Sequence, residues 1–64
     1  MLVKFYKPSF DKLGNLKQMY FGERFITILP PLNSEVAIGP KRYKVAKIVF
    51  NYNSSNYEIY LKRV

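Results

Sequence analysis

The sequence predicts a small all-β domain on three observations. Short segments alternate apolar with polar residues, β-branched and aromatic residues cluster in runs such as Glu23–Leu29, and turn-forming residues punctuate the chain at close intervals. Sixty-four residues allow one domain, spanning 1–64, and a chain this short buries a small share of its surface. An apolar fraction of 48% and an aromatic fraction of 17% exceed what a disordered tail carries, so a packed core is expected. With no Cys and no His, neither disulfide staples nor the usual zinc sites can support it.

The first element, Leu2 to Lys7, alternates so that Val3 and Phe5 share one side and Lys4 and Tyr6 the other, with Pro8 limiting its extension. Ser9 to Gly22 supports two readings. Phe10, Leu13 and Tyr20 fall near helical spacing behind a Ser9 cap, whereas Gly14-Asn15 signals a tight turn leading into a strand over Leu16–Phe21. The turn is preferred, because a mid-helix glycine costs roughly 1 kcal/mol. Glu23 to Leu29 reads as a strand ended by Pro30-Pro31, and Glu35 to Ile38 as a short strand turned by Gly39-Pro40. Along Lys41–Tyr52, Tyr43 and Val45 hold one phase while Ile48 and Phe50 hold the other, so a bulge at Ala46-Lys47 is needed to keep all four inward. Asn51 to Asn56 is a turn by composition, and Tyr57 to Arg63 places Tyr57, Ile59 and Leu61 opposite Glu58, Tyr60 and Lys62. Together these elements predict a five-stranded antiparallel barrel of the SH3-like or OB-like type, with at most one short helical turn.

Glu35-Val36-Ala37-Ile38, Arg42-Tyr43-Lys44-Val45, Ile48-Val49-Phe50 and Ile59-Tyr60-Leu61-Lys62-Arg63 follow one another in an order that resembles small phage-encoded SH3-like β-proteins. The resemblance covers residues 35–64, departs at Gly39-Pro40, and implies a fold and a viral setting without assigning any residue a role.

Catalysis needs a positioned acid, base, nucleophile or metal. The four carboxylates, Asp11, Glu23, Glu35 and Glu58, are scattered singly, and the serines stand in turn contexts without an imidazole. Gly14, Gly22 and Gly39 are too dispersed for a phosphate-cradling loop. Asn53-Ser54-Ser55 matches a glycosylation acceptor formally but reads as a turn. A non-enzymatic protein without a cofactor is expected. The lack of Cys fits a cytoplasmic setting, including that of an infected host cell, and no segment reads as a signal peptide or membrane span.

The net charge of +7 favours anionic partners, and it is uneven. Residues 1–40 carry five Lys/Arg against three acids, whereas residues 41–64 carry six against one. Basic residues also interleave with aromatics, the combination that single-strand binders use to follow phosphates and stack bases. The candidate binding residues are therefore Lys4, Tyr6, Lys41, Arg42, Lys44, Lys47, Tyr52, Tyr60, Lys62 and Arg63. The plainer alternative has these tyrosines packing at the core edge and the lysines blunting strand edges. The expected partner is nucleic acid, single-stranded in preference to duplex, or else an acidic protein surface or a second copy of the chain, with no role for a membrane.

Overall fold

The computed structural model describes all 64 residues, as five strands and no helix. They are β1 (Leu2–Phe10), β2 (Leu16–Phe25), β3 (Glu35–Ile38), β4 (Lys41–Asn51) and β5 (Asn56–Arg63), in one sheet of order β2-β1-β5-β4-β3. Neighbours in sequence pair antiparallel, as short turns dictate, but β1 and β5 pair in parallel. The sheet is therefore mixed and open, where the sequence reading expects an antiparallel barrel. β2 and β3 are the two ends of the sheet.

The β1–β2 hairpin settles the ambiguous segment as a turn. Asp11 Oδ1 accepts from the amides of Leu13 and Asn15, both at 2.9 Å, and Gly14 adopts φ +81°. That Asx-type closure substitutes side-chain bonds for the helical ones a Ser9 cap would have started. β1 also runs past Pro8, because beyond Tyr6 its flank no longer meets β5 and the missing amide interrupts no second ladder. The expected strands Leu16–Phe21 and Glu23–Leu29 are one strand that stops at Phe25. There β1 has run out, and Ile26 closes the pair by exchanging backbone bonds of 2.8–2.9 Å with Met1. Residues 26–34 then cross from one sheet edge to the other, laying Ile26 and Leu29 on the core.

The bulge on β4 lies where the side-chain phases demand it, with the register shifting between Val45 and Lys47. A second bulge, absent from the sequence reading, places Phe21 as the extra residue of β2 opposite Phe5/Tyr6. Tyr43 and Val45 are buried and Ile48 packs against them, but Phe50 is half exposed on the same face, resting 5.0 Å from Tyr57 at the sheet end. β4 stops at Asn51, one residue before the expected end, since Asn51 Oδ1 turns to accept from the amides of Asn53 and Ser54. The core proper is Val3, Tyr43, Val45, Ile59 and Leu61, drawn from β1, β4 and β5. Buried Asn56 is satisfied by the Ser54 hydroxyl and by donating to the Tyr57 carbonyl.

Two outcomes follow for stability. Ile59 is fully buried on the central strand. Ile59→Val should cost about 0.5–1.5 kcal/mol by urea unfolding, whereas Ile59→Ala, at about 2–5 kcal/mol, should leave little folded protein. The amide bonds from Asn15 and Leu13, aided by Lys17, hold the Asp11 carboxyl below its ordinary range. A depressed folded-state pKa contributes stability above the unfolded value and loses it as pH falls through the folded one. Acid titration of unfolding should therefore show a component in and below the ordinary aspartate range that Asp11→Asn abolishes.

Candidate functional site

The sheet has an inner face that carries the core and an outer face that does not. Registers on the outer face place Tyr20 of β2 opposite Tyr6 of β1, Tyr6 opposite Tyr60 of β5, and Tyr60 opposite Lys47 of β4. One row thus crosses four strands, about 14 Å at the usual strand spacing. Its members touch. Tyr6 and Tyr60 stack at 4.8 Å with ring planes 14° apart, Tyr20 meets Tyr6 edge-on at 5.7 Å, and the Lys47 ammonium lies 4.8 Å from the Tyr60 ring centre. Tyr60 is therefore enclosed between a ring and a cation. Tyr20, 49% exposed, is the open end of the row.

The β4 bulge makes this arrangement possible. Regular alternation after Lys44 would turn Lys47 toward the core, and the extra residue Ala46 turns it outward while sending Ile48 in. Partial burial, then the Glu58 carboxylate that accepts from its hydroxyl at 3.1 Å, hold the Tyr60 phenol above its ordinary range, with a smaller contribution from Tyr6.

Charge on this face is segregated. Lys4 stands in register between Glu23 and Glu58. Arg42 is engaged by Glu35 at 3.4 Å. Lys44 stands in register between Glu35 of β3, which Arg42 also engages, and Lys62 of β5, and the pairing with Lys62 is between like charges. Lys62 is held by the Asn33 side-chain oxygen at 3.3 Å, and Lys47 stands one outward position along β4 from Lys44. These three ammonium groups, with Tyr6, Tyr60 and Tyr20, form the candidate site.

The other expected residues lie elsewhere. Lys41 has the inner phase of β4 and, with Arg42, Tyr43, Arg63 and Val64, lines a separate shallow cleft of about 230 Å³. The Arg63 guanidinium covers Phe10 at 5.4 Å. Tyr52 lies in the β4–β5 turn, exposed and outside the row. Tyr20 was missed because its place beside Tyr6 depends on the β1–β2 register, and the only local signal for that register is the Gly14-Asn15 turn. Comparison with known protein families, with characterised proteins and with solved structures yields no match.

Because Lys62 opposes Lys44 across the strand pair, neutralising Lys62 should help the fold. Lys62→Gln should raise stability by about 0.2–1 kcal/mol at low ionic strength, and added salt should shrink the gain, as followed by thermal unfolding across a salt series.

Proposed function

We propose that the chain is a small nucleic-acid-binding protein of low sequence specificity that favours single strands. The observation that carries this reading is the aromatic row with Lys44, Lys47 and Lys62 gathered beside it, two of them opposed across β4 and β5. The cross-strand lysine pair is a repulsion that phosphates brought alongside would relieve. In this scheme Lys44, Lys47 and Lys62 take successive phosphates. Tyr6 and Tyr60, whose facing rings stack on each other, hold Tyr20 in place, and Tyr20 offers a free ring for a base. Duplex bases are already stacked and cannot use that ring, which gives the preference for single strands. The same proposal reads the domain as a small barrel of the SH3-like or OB-like kind left open along one seam, a reading supported by the cleft that residues of β2 and β3 line together.

Fluorescence anisotropy with labelled single-stranded and duplex oligonucleotides across a salt series tests it. Three phosphate contacts should give a log–log salt slope of about −2 for single strands, and Lys44→Gln should reduce it by about 0.7. Tyr20→Ala should weaken single-strand binding by about 1–3 kcal/mol and leave duplex binding nearly unchanged. Absence of binding at low salt, or equal losses from Lys41→Gln and Lys44→Gln, would sink the proposal.

A further inference from the structure

The tyrosine row lies on the outer face, whereas Phe5, Phe21, Val36 and Ile38 pack against the core. β2 pairs only with β1 and β3 only with β4, so each presents an unpaired backbone flank at the end of the sheet. The sheet curls enough to bring these flanks to a common cleft of about 320 Å³. Phe21, Gly22 and Arg24 form one wall, Val36–Gly39 the other, and Phe5 of β1 also lines it. The lining is mostly apolar, and Arg24 is its single charged side chain. An unpaired strand edge is a ready template for pairing with another chain. Gly22 stands at the Phe21 bulge on one wall and Gly39 at the end of β3 on the other, so neither puts a Cβ into the cleft.

From this geometry we infer that the seam takes an extended peptide of a partner protein as a sixth strand, one with alternating apolar side chains and an acidic residue facing Arg24. Main-chain bonds to β2 or β3 supply register, the pockets beside Phe5, Phe21, Val36 and Ile38 take alternate side chains, and Arg24 supplies the charge preference. Arg24 is exposed and donates through Nη1 to the carbonyl of Glu23 at 2.8 Å, so its remaining donors are available to a carboxylate. A second copy of the chain suits the seam less well. Two molecules of charge +7 repel, β2 is interrupted by its bulge, and β3 offers four residues before Gly39-Pro40. An acidic peptide meets a field of the opposite sign.

The test selects a display library of random decapeptides on the full chain and maps the best peptide by amide exchange. Enriched peptides should alternate apolar residues and carry Asp or Glu. Their complexes should protect amides within 22–24 and 36–38, and Arg24→Glu, an exposed change that spares the core, should weaken them about tenfold. Tyr20→Ala should leave peptide affinity unchanged, which separates this site from the nucleic-acid proposal. The inference is overturned if no peptide is enriched, if enriched peptides lack an acidic residue, or if protection falls outside the seam. Protection of the same amides without peptide, together with a dimer by light scattering, would assign the seam to a second copy and overturn it equally.

Discussion

Everything in this fold depends on the parallel contact between β1 and β5. Without it the chain is a β1–β2 hairpin and a β3–β4–β5 meander, neither of which encloses a core. The contact is short, Val3 to Tyr6 against Tyr57 to Tyr60, yet it is specified on both faces. Inside, Val3 meets Tyr57 and Phe5 meets Ile59; outside, Lys4 meets Glu58 and Tyr6 stacks on Tyr60. A slip of one residue would turn apolar side chains outward and bring Lys4 toward the core, so a four-residue ladder is enough to define the register. The same contact places the tyrosine row at the centre of the sheet, making the candidate site a by-product of the interaction that closes the core.

The two bulges divide the work between the faces. The one at Ala46 lets a single strand deliver Val45 and Ile48 inward and Lys44 and Lys47 outward. The one at Phe21 brings an aromatic ring to 6.0 Å from Phe5, thickening the core where the sheet ends. Bulges also bend and twist their strands, and in the sheet that carries both, residues of β2 and β3 line one cleft. The open seam and the outward row of cations are thus linked through strand geometry.

The energetic margin is thin. Five apolar residues make up the buried core, while Phe10, Leu13 and Leu16 remain exposed around the first hairpin, as do Phe25 at the end of β2 and Ile28 and Leu32 on the crossing between sheet edges. A domain of this size has little stability to spare, so the opposed lysine pair is a cost that weighs on it.

Much of the local structure was legible in the sequence. Alternation identifies the inward residues of β1 and β5, and the phase break between Val45 and Ile48 locates the Ala46 bulge, because side-chain direction along a strand is a period-two property of the chain itself. The Asn51–Asn56 turn and the short β3 are legible for the same reason, as turn chemistry is local. What tertiary structure alone decided was which strands are neighbours and in which direction. Nothing in Leu2–Phe10 or Asn56–Arg63 states that they pair in parallel, since that pairing joins residues more than fifty positions apart and is chosen by burial and register across the whole sheet. Because the row Tyr20–Tyr6–Tyr60–Lys47 is built from such pairings, the sequence could supply basic and aromatic candidates but could not separate Lys44, Lys47 and Lys62 from Lys41, Arg63 and Tyr52.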